Sequence, residues 1–366
     1  MDPKNRLNDD ESRVNATIAQ VRARRPRLLD ERVTLAHGAG GKASAALVDQ
    51  IFISGYGNEV LAELTDAAVV DLPPLGQGRL AVSTDSYVVS PIEFPGGSIG
   101  ELAVNGTVND LAVSGAVPHV LSAAFVLEEG LEMAVLRRVV EAMRTAADAA
   151  GVRIVTGDTK VVPRGACDRL YITTTGVGIV PSGRVLGAAQ VRRGDRLLLS
   201  GAIGDHGMAV MLARGDLAID APIRSDTRSV RGLVATLLDA APGTRWMRDA
   251  TRGGLGTVLN ELARASGLGV VVDEERVRVH DMTRAACDML GIDPLYVANE
   301  GTFVAVVPAD EADAALAAVR TLPGGEEAEL VGRIVAELAA SVVMVTGFGG
   351  TRMVDMLVGD PLPRIC

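Results

Sequence analysis

The chain has 366 residues, which at roughly 100–200 residues per domain predicts two domains. Hydrophobic residues make up 48% and charged residues 22%, enough for a sizeable core and incompatible with wholesale disorder. A net charge of −10 argues against broad binding to nucleic-acid phosphates, so a phosphorylated ligand would need metal ions or backbone N–H groups to offset that charge.

Residues 1–31 are polar and charge-rich, with Pro3 and Pro26, and are expected to form a mobile arm with one helical stretch before Pro26. They contain no apolar core of a signal sequence, so secretion is not expected, and no run of roughly 18 apolar residues predicts a membrane helix. Residues 33–36 are expected as a short strand running into the glycine-rich loop 38–42, with a helix after it. Strands ending on a carboxylate are predicted at 80–85 and 152–158, and another strand at 170–180. Helical spacing covers 99–113, weakened by Gly100 and Gly106, and 129–149, where Leu131, Val135, Val139 and Met143 recur and Gly151 stops the helix. A boundary is expected near 180–192, followed by strands at 197–199, 270–272, 303–307 and 342–345 alternating with helices at 229–240, 255–265 and 309–322. The fold class is α/β, in four parts: arm 1–31, N-terminal domain 32–180, C-terminal α/β domain 181–346 and a flexible tail 347–366, whose glycines and prolines forbid a final helix.

Cys167, Cys287 and Cys366 include no CxxC pair, and four histidines make a Cys/His zinc site unexpected, so the reducing cytoplasm is the expected location. The candidate chemistry lies instead in aspartates set among glycine and threonine: Asp66, Asp85, Asp110, Asp158 and Asp249. Hard oxygen donors of this kind suit Mg²⁺ with nucleotide phosphates, although each aspartate alone also fits a turn or a helix cap. The loop ending at Lys42 has backbone N–H groups to wrap phosphate, but alanine at 36 and 43 excludes the Walker A spacing. Lys160, two residues beyond Asp158, reads either as a phosphate or substrate contact or as a surface ion pair. Glu300, before an apolar strand, reads either as a base or as a turn residue. Cys366, on the tail, is a potential carrier because thiolates are good nucleophiles.

The chain carries LAHGAGGK (35–42), STDSYVVSP (83–91), FPGGSIGELA (94–103), GTVNDLAVSGA (106–116), TGDTKVVPRG (156–165), GDHGMA (204–209), RDATRGGL (248–255), YVANEG (296–301) and LPRIC (362–366) in that order. With these motifs the sequence from about Arg32 to Cys366 resembles the hydrogenase maturation factor HypE, or carbamoyl dehydratase, family, within the superfamily of aminoimidazole ribonucleotide synthetase, selenophosphate synthetase and thiamine-monophosphate kinase. The resemblance implies a two-domain fold whose N-terminal sheets pair across a homodimer into a barrel. It implies carbamoylation of Cys366 by the carbamoyltransferase HypF, phosphorylation of the carbamoyl oxygen by ATP, and loss of phosphate to leave a thiocyanate. The cyanide then passes to hydrogenase iron on a HypC–HypD scaffold. By match, Asp66, Asp85, Asp110 and Asp158 would hold Mg²⁺ and ATP, with Lys42, Asp249 and Arg252 as further nucleotide contacts. Lys160 and Glu300 would act on the carbamoyl group, Glu300 as the proton acceptor. Thr65 stands where the superfamily often has a second aspartate, and Asn105 where many members have cysteine. A kinase or synthetase of the same superfamily is the first alternative, weakened by the lack of cysteine before Cys167; a non-catalytic nucleotide-binding scaffold is the second.

Overall fold

A computed structural model describes residues 28–39, 42–64, 68, 70, 72–73, 76, 78–215 and 221–356. The expected arm thus lies outside the described residues except for 28–31. Alternation of exposed and less exposed residues marks β1 (Arg79–Tyr87), the edge of a four-stranded sheet with β2 (Val117–Glu128), β3 (Arg153–Val162) and β4 (Leu170–Val180), in the order β1-β4-β2-β3. Only β2 and β3 run parallel, and the chain crosses between them through α2 (Met133–Ala150). α1 (Ile99–Val113) is capped by Ser98, whose hydroxyl accepts the Gly100 N–H at 3.1 Å. Leu121, Ala123, Phe125 and Leu127 of β2 bury with the apolar residues of α1 and α2 in one core. Among the described residues nothing covers the other face of the sheet, and Leu80 and Val82 are 54% and 61% exposed on it.

Three local expectations are corrected. Residues 33–36 do not form a strand: Nδ1 of His37 accepts the Thr34 N–H at 3.0 Å and also contacts the Thr34 hydroxyl, and Leu35–Gly38 turns into a 3₁₀ helix. Neither Asp85 nor Asp158 ends its strand. β1 continues to Tyr87 and β3 to Val162, because Gly157 lets β3 approach β2 where any Cβ would overlap the Ala123 carbonyl. The helix expected from 129 starts at Met133, since Gly130 at φ +97° makes a turn whose N–H donates to Val33.

The second sheet has seven strands. In chain order the elements are β5 (Arg196–Leu199), α3 (Asp205–Ala213), α4 (Arg231–Ala240), β6 (Trp246–Asp249), α5 (Gly254–Ser266), β7 (Gly269–Asp273), α6 (Asp281–Leu290), β8 (Phe303–Val307), α7 (Ala312–Arg320), β9 (Glu329–Val335), β10 (Val342–Val345) and β11 (Thr351–Met353). The spatial order is β11-β10-β7-β9-β5-β8-β6. β8 is buried along its whole length because both faces are covered: Val304 and Val306 pack with Leu255 and Leu259 of α5, while Phe303, Ala305 and Val307 pack with α4 and α7. Ala112 and Val113 of α1 join this last core, so α1 links the two sheets.

Of the expected tail, residues 347–356 are described. Residues 347–350 form a tight turn, with Gly349 at φ +77° and the Thr346 N–H donating to Gly350 at 2.9 Å, and the chain returns as β11 beside β10. Residues 357–366, with Cys366, lie outside the described residues. Among the described residues no helix is long and apolar enough to cross a membrane.

Candidate active site

Four carboxylates meet where α1, β1 and the second sheet converge. β1 directs Ser83 and Asp85 toward α1, because Asp85 pairs with Thr174, which is fully buried and donates to Ala103 of α1. Asp110 occupies the last turn of α1 and accepts the Ser83 hydroxyl at 2.6 Å. β6 ends on Asp249, and the loop before β8 carries Glu300, which is 4% exposed. With Tyr87, Gly106, Thr251 and Arg252 these groups line a cavity of about 500 Å³. The Tyr87 hydroxyl donates to Asp85 at 3.3 Å and lies so close to Gly106 that a Cβ there would overlap it.

Proton affinity is raised at Asp85, Asp249 and Glu300. Burial, then Asp110, pushes Asp85 up to about 6. Burial, then Asp110, pushes Asp249 up to about 7 against the opposing pull of Arg248. Burial holds Glu300 well above the usual carboxylate range, reinforced by Asp249, Asp226, Asp85 and Asp110. An isolated pocket of this charge is costly unless it is protonated or meets cations.

Glu300 is held through its backbone by residues that the sequence analysis did not single out. Asp226 accepts the N–H of Glu300 and of Gly301, each at 2.9 Å, and the Thr302 hydroxyl at 3.2 Å. Asn109, one residue before Asp110, accepts the Val230 N–H at 2.8 Å and donates to the carbonyls of Arg228 and Glu300 at 2.9 and 3.3 Å. Asn299 donates to Ala250 and accepts the Gly204 N–H, tying the same loop to β6 and α3. Asp226 sits in a polar run, Arg-Ser-Asp-Thr-Arg, with no apolar period, so its only signal is an aspartate among turn residues.

Asp158 and Lys160 are not in this cavity. Asp158 aligns with Ala124, on the uncovered face of the sheet, whereas Asp85 aligns through Thr174 with the buried Ala123. Lys160 Nζ lies 3.0 Å from Asp158, and its hydrogen bond holds the Asp158 carboxyl below the usual range. The two line the rim of a second cavity of about 380 Å³ together with Gly38, Phe52 and Tyr56. Asp66, the Lys42 side chain and Cys366 lie outside the described residues.

The donor set fits a hard divalent cation shared with phosphate. It consists of carboxylate oxygens, and proton affinity is raised at Asp85, Asp249 and Glu300. Among the described residues, no group of three or more acidic, histidine or cysteine side chains already stands as a metal cage. Mg²⁺ characteristically takes one or two carboxylates and completes its shell with water and phosphate. The charge crowding makes a stability prediction. A carboxylate raised to about 7 contributes stability that is present below the ordinary carboxylate range and is lost as pH rises through about 7. Asp249→Asn should therefore flatten the fall in melting temperature of the nucleotide-free protein between about pH 5 and pH 8. Parallel pH curves for the two proteins, measured by scanning fluorimetry, would contradict the crowding.

The fold and this acidic cavity define a protein of the AIR synthase-related class. Residues 64–180 match the N-terminal domain of AIR synthase-related proteins and residues 192–345 the C-terminal domain. Carbamoyl dehydratase HypE of Rhodobacter capsulatus is 55% identical over 93% of this chain and 99% of that protein. A crystal structure of hydrogenase maturation protein HypE in complex with ATP superposes with a TM-score of 0.86 at 47% identity, covering 91% of this chain and 99% of that one. HypE in a HypE–HypF complex gives a TM-score of 0.74 at 41% identity, covering 85% and 100%. The chain belongs to the HypE carbamoyl dehydratase family.

Proposed function

We propose that the chain dehydrates an S-carbamoyl group carried on Cys366 to a thiocyanate, consuming ATP with Mg²⁺, to supply cyanide ligands for the iron of a [NiFe]-hydrogenase. The observation that carries this reading is Glu300: a buried carboxylate, clamped by its own backbone, in a cavity of three further carboxylates. The ATP complex of a relative supports the nucleotide, and the HypE–HypF complex supports a HypF-type carbamoyltransferase as the source of the group.

Carbonyl oxygen is a poor leaving group and phosphate a good one. The carbamoyl oxygen takes the γ-phosphoryl group of ATP, ADP leaves, and one nitrogen proton is lost. Elimination of phosphate with loss of the second proton then forms the carbon–nitrogen triple bond. Catalysis of such a step is mainly positioning and neutralisation of phosphate charge. Asp85 and Asp110 would hold Mg²⁺ in the acidic cavity, with Asp66, and Asp158 from a paired copy, as further ligands, and the ion would supply that neutralisation. Lys42, Asp249 and Arg252 contribute to the nucleotide site, and Arg252 directly precedes the N-terminus of α5, whose free N–H groups favour an anion. Glu300 accepts the nitrogen protons, and burial raises its affinity for a proton.

Lys160 lies outside the Glu300 cavity of its own chain, so its part, orienting the carbamoyl group or balancing its charge, is played from a paired copy. The exposed Leu80 and Val82 support pairing of two copies through the uncovered sheet face, a homodimer in which Asp158 and Lys160 sit at the interface. A HypC–HypD scaffold in the cytoplasm then receives the cyanide. The test is single-turnover mass spectrometry of chain carbamoylated at Cys366 with cyanate. Mg-ATP should remove one water per adduct with one ADP formed. An adduct that survives hydrolysable ATP contradicts the reading.

A further inference from the structure

The segment leading to Cys366 is fastened beside the cavity by contacts that the sheet does not need. β11 ends at Met353, yet the chain stays bound for two more residues. Val354 is 1% exposed, and its N–H donates to Val342 at 2.9 Å. Its carbonyl accepts from Asn260 Nδ2 at 2.8 Å, and the Asp355 carbonyl accepts the Tyr296 hydroxyl at 2.6 Å. Both donors belong to elements that build the acidic cavity. Asn260 lies on α5, directly after the loop carrying Asp249, Thr251 and Arg252; Tyr296 precedes Glu300 by four positions. The Tyr296 ring packs so closely on α5 that a Cβ at Gly256 would lie 2.7 Å from it, and the residue is 8% exposed.

These contacts set a distance. The path from Asp355 through the Tyr296 hydroxyl and along the backbone to Glu300 spans at most roughly 26 Å, whereas the eleven residues from 356 to 366 extend to roughly 36–40 Å. Cys366 is therefore within reach of Glu300 in its own chain. We propose that Tyr296, with Asn260, is a positioning residue that fixes the root of the segment carrying Cys366 and so keeps the tether to the cavity short. The inference rests on Cys366 being the carrier.

Were the root to retreat to the end of β10, the tether would grow from about eleven to about twenty-one residues, and the effective concentration of the thiol would fall about two- to threefold, as the −3/2 power of length. The test uses full-length chain carbamoylated at Cys366. In Tyr296→Phe, hydrogen exchange of residues 351–355 should rise, ATP affinity by calorimetry should be unchanged, and the single-turnover rate should fall by up to the roughly two- to threefold of full retreat. Inserting about ten Gly/Ser residues after Met356, which leaves Tyr296 untouched, should lower the rate by the same factor. Unchanged exchange in Tyr296→Phe, or a rate insensitive to both changes, overturns the proposal. Failure of the unaltered chain to convert its adduct would instead fault the dehydratase reading.

Discussion

Replacing Glu300 with glutamine should lower the dehydration rate by about two to four orders of magnitude, the usual contribution of a positioned proton acceptor, while ATP affinity holds. The amide keeps the side-chain shape, and the clamp on this loop acts through the backbone N–H groups of Glu300 and Gly301, which the substitution leaves in place. What is lost is the basic oxygen. The same change removes a group whose ionisation the buried cavity disfavours, burial being the first cause of the raised proton affinity of Glu300. The variant should therefore melt higher than the unaltered nucleotide-free protein at neutral pH. Loss of rate with a gain in stability is not the pattern of a damaged fold. Single-turnover mass spectrometry and scanning fluorimetry read the two effects separately, and a variant that dehydrates at the unaltered rate would show that Glu300 is not the base.

Cys366→Ala should abolish formation of the thiocyanate altogether and leave nucleotide binding in place, because the acidic cavity is built from residues of α1, β1, β6 and the loop before β8. The remaining thiols are poor substitutes. Cys287 is buried and pushed up to about 11, and burial also raises Cys167, so little of either is the reactive thiolate at neutral pH. Peptide mapping after cyanate treatment and Mg-ATP checks this: a thiocyanate on Cys167 or Cys287 in the variant would remove Cys366 from its role.

Where one element's own period decides its structure, the sequence was legible. The apolar run at 303–307 is β8, the spacing from Val135 to Met143 is the buried face of α2, Asp110 lies on the helix expected over 99–113, and Glu300 lies just before the strand at 303–307. β2 was not foreseen, although it is the central partner of both β3 and β4; Pro118 and His119 near its start obscure the alternation that becomes clear only once Leu121, Ala123, Phe125 and Leu127 face the core. The separation of Asp85 from Asp158 was equally invisible. Each follows an apolar run and looks alike locally, and the face each side chain takes is settled by pairing register across β4 and β2. Asp226 carried no signal because its partners are backbone N–H groups more than seventy positions away. Residues 351–356 read as tail because four glycines precede or follow them between 347 and 359, whereas Gly347, Gly349 and Gly350 serve a turn.

The central claim is that nucleotide activates the carbamoyl oxygen so that it departs as phosphate. The most direct test is to prepare the Cys366 adduct with oxygen-18 cyanate, add Mg-ATP for a single turnover and weigh the inorganic phosphate released. Phosphate carrying the heavy oxygen, in step with formation of the thiocyanate, is the predicted result; unlabelled phosphate, with the heavy oxygen in water, would contradict it.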